Sequence, residues 1–317
     1  GTLYVAKVGA GFSFNPADQG AKLTWIKLGH ATSEEVKRMA DTLKPSDIMD
    51  VRFTDPGDST FTKIFVGGAA NWVKVKLGME KAAAFLETHR YAYLVGGSMG
   101  FSKMEGTTVN IKDKIAYSAI QNAVDSMVVN GKGWNAQSGM TMEKPIKAGG
   151  ILMHKLTGGQ KDTAGAMIRS EWVPAQTKAL ITGEDIAQDA IGNLSNPDKI
   201  GSPDNIKFSE HLRTLFIGED SSNHVNNFLW AYNVDTKSLS RIMSLPAGAE
   251  STGLHAVDEI NGWTYIMSNF QHAGDWQSPL HDNVKAVLDP IVRANYKDRF
   301  GAQVGYLTGD ASSLKIS

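Results

Sequence analysis

Gly201-Ser-Pro-Asp-Asn-Ile206, Thr214-Leu-Phe-Ile-Gly-Glu-Asp220 and Phe228-Leu-Trp-Ala-Tyr-Asn-Val-Asp-Thr236 decide the reading of this chain. The same pattern continues in Gly248-Ala-Glu-Ser-Thr-Gly253 and Gly262-Trp-Thr-Tyr-Ile-Met-Ser268, and closes at Gln271-His-Ala-Gly-Asp-Trp276. Short runs of aromatic and β-branched residues alternate with turns of Gly, Asn, Asp and Pro, the signature of successive antiparallel strands. The turns carry chemically capable side chains: Asp204, Glu219, Asp220, His224, Glu250, His272 and Asp275. Loops on a rigid sheet scaffold are where binding groups usually sit.

Upstream, strands are expected over 3–8, 22–28, 106–111, 114–120 and 149–156, with a weaker strand or loop over 172–181. A helix capped at Thr32 or Ser33 should run to Leu43 and stop before Pro45. A helical insertion is expected around Ile48 to Phe53, and a single helix over Met79 to Ala92, which is rich in strong helix formers. Residues 182–200 read as irregular with a short helix near Glu184 to Ala190. A helix around Asp289 to Lys297 and a strand over 303–307 complete the pattern. Strand pairs recur every 40 to 60 residues or so, a rhythm that suits a β-propeller with its four-stranded blades. A β-sandwich fits the same pattern. Trp230, Tyr232 and Trp263 read as strand core, and His211, His255 and His281 as surface or packing residues.

The 317 residues carry 32 basic and 33 acidic side chains, a formal net charge of −1, and no cysteine. Near-neutrality gives no electrostatic case for nucleic acid. The absence of cysteine removes disulfides, thiolate metal sites and cysteine nucleophiles. No run of apolar residues is long enough for a membrane-spanning helix. Dinucleotide and P-loop fingerprints, H-E-x-x-H and G-x-S-x-G are all missing. What remains is Glu105 and the carboxylates and histidines already named, hard donors that suit Ca²⁺, Mg²⁺ or Fe³⁺. Glu219-Asp220 also reads as a solvated turn, and Asp204 as an Asx turn.

At Phe85-Leu-Glu-Thr-His-Arg-Tyr-Ala92, Phe101-Ser-Lys-Met-Glu-Gly-Thr-Thr-Val-Asn110 and Ser202-Pro-Asp-Asn-Ile206 the chain resembles a known family. Ile217-Gly-Glu-Asp220, Trp230-Ala-Tyr-Asn233, Gly248-Ala-Glu-Ser-Thr-Gly253 and Gln271-His-Ala-Gly274 follow in the family's order. The family is the PhoX-type alkaline phosphatases and their DUF839 relatives. The resemblance implies an all-β propeller with helical insertions, one domain over 1–317 with an insertion over about 30–95. It implies a phosphomonoesterase with calcium and iron at the channel mouth, a small phosphorylated substrate, and a periplasmic or secreted location. By matching position, Glu105, Asp204 and Glu250 are the expected metal ligands, with Glu219, Asp220 and His272 as further candidates.

The family's upstream block, with a Thr-Pro-Trp-Gly-Thr-Trp run and a Cys-Glu-Glu run whose cysteine ligates iron, has no counterpart in this sequence. Gly1-Thr-Leu-Tyr-Val-Ala-Lys7 begins in mid-pattern. The expectation is a fragment or processed chain, an incomplete propeller, and a companion N-terminal segment of the same protein. Two other readings stay open: a non-catalytic, calcium-stabilised propeller acting as a binding or structural module, and a propeller lactonase or esterase with calcium alone.

Overall fold

The computed structural model describes residues 1–296 and 301–314. Strands β1 (Thr2–Val8) and β2 (Ala21–His30) form the first hairpin. Helix α1 (Ser33–Thr42) starts where its cap dictates: Thr32 Oγ1 accepts from Glu35 N, and the Glu35 carboxylate accepts from Thr32 N. This reciprocal pair satisfies two of the orphan amides at the helix start.

The insertion that follows is mixed rather than helical. After the short α2 (Pro45–Ile48) come β3 (Met49–Arg52), β4 (Thr62–Val66) and β5 (Ala69–Val75), ordered β3-β5-β4. The helix expected around Ile48 to Phe53 is therefore a strand. Met49 pairs with Val75 and Val51 with Val73, and burying Ile64 and Val73 on a pleated face outweighs local helix propensity. The single helix expected over Met79 to Ala92 is two, α3 (Glu80–Leu86) and α4 (Thr88–Leu94). The break falls at Glu87, where the Thr88 hydroxyl donates to Ala84 O at 2.7 Å, offering that carbonyl a side-chain partner. The helices close a small core around Ile48, Val73, Ala82 and Ala83, and lean through Ala84 and Ala92 on Leu28 of the first hairpin.

Strands β6 (Met104–Asn110), β7 (Ile115–Ile120), β8 (Gly150–Thr157) and β9 (Val173–Thr182) join the first hairpin in a six-stranded sheet ordered β1-β2-β9-β8-β7-β6. The short helix expected near Glu184 to Ala190 is absent. Asp189 instead holds a turn, its Oδ1 accepting from the amides of Ile191, Gly192 and Asn193.

Residues 201–276, joined by 303–310, build two further antiparallel sheets. One contains β10 (Pro203–Ser209), β11 (Thr214–Glu219), β12 (Phe228–Asn233) and β13 (Leu239–Ser244). The other contains β14 (Glu250–Ile260), β15 (Trp263–Gln271) and β16 (Gln303–Asp310). Helix α5 (Lys285–Tyr296) sits between β15 and β16 in the chain; Lys297, the expected helix end, lies outside the described residues.

The three large sheets stack face to face. Leu215, Ile217, Phe228, Trp230 and Tyr232 of the second sheet pack on Tyr117, Ala119 and Ile151 of the first. The alternate residues Phe216, Leu229 and Ala231 pack on Ala256 and Ile266 of the third. Because side chains alternate, a strand covered on both faces must be apolar throughout, which is why β11 and β12 read as continuous hydrophobic runs. Trp230 and Tyr232 are core as expected, but Trp263 is 48% exposed, placed at a corner beside Gly262 with φ +84°. The leading strands β6, β10 and β14 lie side by side. The chain is thus mostly β, made of several antiparallel sheets, with a mixed α/β insertion.

Candidate metal centre

The side-by-side packing of β6, β10 and β14 brings one end of each sheet to a common place. In the first sheet Lys103 (φ +46°) precedes Glu105 by two residues; in the second Ser202 (φ +46°) precedes Asp204 by two; in the third Gly248 (φ +75°) precedes Glu250 by two. The strand that returns to this end closes each pattern. Gln121 N donates to Lys103 O at 3.0 Å, and Asp220 N donates to Ser202 O at 3.1 Å. In the third sheet His272 Nδ1 lies 2.9 Å from Gly248 O. Three sheets therefore each present a carboxylate at the start of the leading strand, and Gln121, Asp220 or His272 at the end of the next.

Glu105 and Asp204 both fall in bulges: register shifts between Met104 and Thr107 and between Pro203 and Ile206. A bulge twists a strand and re-aims a side chain, which turns these carboxylates toward the shared end. The approach of the two strands is close. A Cβ on Gly106 would stand 2.5 Å from Asp204 O and 2.9 Å from Ile206 N, so glycine is required there by space alone.

Asp220, Glu250 and His272 each offer a ligand atom within 4.8 Å of the others. His272 Nε2 is 3.2 Å from Glu250 Oε2, and Gln271 Nε2 donates to the same oxygen. Gln121 Nε2 donates to Asp220 Oδ2 at 2.8 Å. Lys103 Nζ lies 2.9 Å from Glu105 Oε1.

The electrostatics are those of like charges held together. Burial first, then the charges of Glu105, Glu250 and Asp220, push the Asp204 carboxyl up to about 6, against the opposing pull of Lys103. Burial and Glu250 likewise raise Asp220 above the usual carboxylate range. Burial acts to lower His272, but its bonds to Gly248 O and Glu250, with the charges of Glu250 and Asp275, win and raise it. The bond to Glu105 raises the Lys103 ammonium. A cation bound among these groups would relieve the repulsion that burial amplifies.

Five of the six sequence-derived ligand candidates thus stand together: Glu105, Asp204, Asp220, Glu250 and His272. Glu219 is the exception. It is fully buried and accepts from Gly201 N at 2.6 Å, Trp230 Nε1 at 2.6 Å, Phe228 N at 3.0 Å and His224 Nδ1 at 3.0 Å. With four donors its oxygens have no free direction for an ion. It is a buried structural hub, and His224 belongs to that hub, its Nε2 on Asn196 O at 3.2 Å. His281 is a packing residue, bonded to Val225 O at 3.1 Å, while His211 and His255 are exposed.

Two members of the site escaped sequence reasoning. Lys103 lies within the Phe101–Asn110 segment, and the interval of two residues before each carboxylate, repeated in Lys103, Ser202 and Gly248, was its available signal; Gln121 carries none. No family model, curated protein or solved structure matches the chain.

Proposed function

We propose that the chain is a metal-dependent phosphomonoesterase of the PhoX kind, its stacked sheets being successive blades of a β-propeller. The observation that carries this reading is the convergence of Glu105, Asp204 and Glu250 from equivalent places of three consecutive sheets, completed by Asp220 and His272. The donor set is carboxylate oxygen and one imidazole, which fits calcium and a hard iron centre. A metal ion bound there supplies charge for phosphate oxygens and an acidified water. The residues of the chain do the rest. Glu105, Asp204 and Glu250 fix position, Gln121 orients the Asp220 carboxylate, and Lys103 offers a cation for a phosphate oxygen. The reaction consumes water and a phosphomonoester and yields an alcohol and inorganic phosphate. A periplasmic or secreted location accompanies this reading by family likeness.

The second reading is a non-catalytic, calcium-stabilised propeller module. It is favoured by one fact: the chain has no cysteine, whereas the phosphatase family uses one on iron. Among the described residues no helix is long and apolar enough to cross a membrane.

Elemental analysis of the purified protein beside a phosphomonoester assay separates the two. Iron and calcium in stoichiometric amounts with turnover support the esterase. Calcium alone, or no metal, without turnover supports the module.

A further inference from the structure

A cleft of about 610 Å³ opens beside the carboxylate cluster and shares Asp220, Gln121 and Ser202 with it. That volume suits the body of a small organic molecule. Part of the wall is apolar, from Val124, Val128 and Pro145. The charged groups facing the cleft are Lys132, Lys147, Asp125 and Asp220. Neither lysine has an ion-pair partner among the described residues, and both are exposed. With Asp220 engaged by a cation in the cluster, the cleft keeps two ammonium groups against one carboxylate.

Both lysines stand on fixed backbone. Lys147 N and Ala148 N donate to the two oxygens of Asp185, each at 2.8 Å. Lys132 lies between Gly131 and Gly133. A Cβ at Gly131 would be 2.2 Å from Asp125 O, and one at Gly133 would be 2.3 Å from the Phe65 ring. The Lys132 ammonium reaches to 3.7 Å from where a Gly68 Cβ would be, beside the tip of the β4–β5 hairpin.

We infer that this cleft holds the alcohol portion of a phosphorylated substrate and selects one that carries a second anionic group, a carboxylate or phosphate, held by Lys132 and Lys147. The inference rests on the phosphatase reading for the placement of the first phosphate at the cluster; the cleft supplies the apolar body site and the distal cations. Two exposed, partly screened pairs correspond to a preference of roughly five- to tenfold for a ligand with the distal anion over one without.

The test is equilibrium binding by titration calorimetry, in calcium-containing buffer, of 6-phosphonohexanoate and hexylphosphonate, which differ only in the distal carboxylate. The expected result is roughly five- to tenfold tighter binding of 6-phosphonohexanoate, weakening as salt screens the pairs. In K132A/K147A the ratio falls to about one, and in K132R/K147R it returns. Equal affinities in the natural protein, a preference that survives K132A/K147A, or no binding of either probe overturns the inference. Lysine-dependent binding of 6-phosphonohexanoate without phosphomonoester turnover upholds the cleft and removes the phosphatase reading instead.

Discussion

Glu105 and Asp204 hold the same station in two stacked sheets: each follows a left-handed residue at φ +46° by two positions, and each lies in a bulge. The repetition explains how separate segments deliver carboxylates to one place. It also divides the acidic residues of this end into those that face the shared site and Glu219, which turns inward.

The carboxylate cluster's own contribution to stability should fall as pH rises, against the opposite contribution of His154, which burial lowers to about 4. Asp204 and Asp220 are raised, so the fold holds protons that the unfolded chain has released. For Asp204 the stability is present below the ordinary carboxylate range and is lost as pH climbs through about 6. His272, also raised, adds with the same sign, because its ionised form is favoured by the fold and is lost as pH climbs. In chelator, the natural protein should lose roughly 2–4 °C of Tm relative to Asp204→Asn between acid and neutral pH. Calcium should reverse this loss. Scanning calorimetry of the two proteins across pH checks this, and a Tm difference that does not change between acid and neutral pH would contradict it.

Glu219 and Asp220 are neighbours with opposite roles. Glu219→Gln places an amide group against four donors and should destabilise the protein by about 3 kcal/mol. Asp220→Asn removes a charge from a repulsive cluster and should leave stability in chelator unchanged or higher. Urea unfolding of the two variants decides; equal losses would show that Glu219 is not a structural hub.

Gly106→Ala should cost about 1–3 kcal/mol, because the new methyl group meets the backbone of Asp204 and Ile206 rather than a side chain that can swing away. The strain falls between two ligand-bearing strands, so calcium affinity should weaken along with the urea midpoint. A neutral outcome in both would mean that β6 and β10 stand farther apart than described.

Gln121→Ala frees Asp220 from its only side-chain donor among the described residues. Outer partners of ligating carboxylates commonly contribute tenfold or more to metal affinity, so calcium should bind about tenfold more weakly. Gln121→Glu adds a fifth carboxylate and should shift the pH dependence of binding upward. Titration calorimetry with calcium reads both, and unchanged affinity in Gln121→Ala would separate Asp220 from the metal.

Thr32→Ala should cost about 1 kcal/mol through loss of the cap on α1, far from the cluster, with calcium affinity intact. This variant is the control for stability loss alone, read by urea midpoint and calorimetry together.

The elements whose reading depends on local chemistry were legible in the sequence. The strands of 201–276 are written in alternating apolar runs and Gly-rich turns, and Thr32 with Glu35 announces the start of α1. Carboxylates in those turns were recognisable as hard donors, and Glu105, Asp204 and Glu250 were expected as ligands only through a resemblance to the phosphatase family. The insertion misled because its strands are short and partly polar: Met49-Asp-Val-Arg52 becomes a strand only when Val73 and Val75 lie beside it. Glu219 and Asp220 are adjacent letters of one turn, and nothing local says which faces the core. Side chains alternate along β11, so Glu219 enters the apolar layer with Trp230 and must take four donors, while Asp220 emerges at the strand end beside Glu250 and His272. Lys103 and Gln121 join the site only because β6, β10 and β14 lie side by side, which brings the end of the first sheet against Asp220 of the second. Sequence determines which segments pleat and which residues can ligate; the burial of both faces of the middle sheet decides which of them meet.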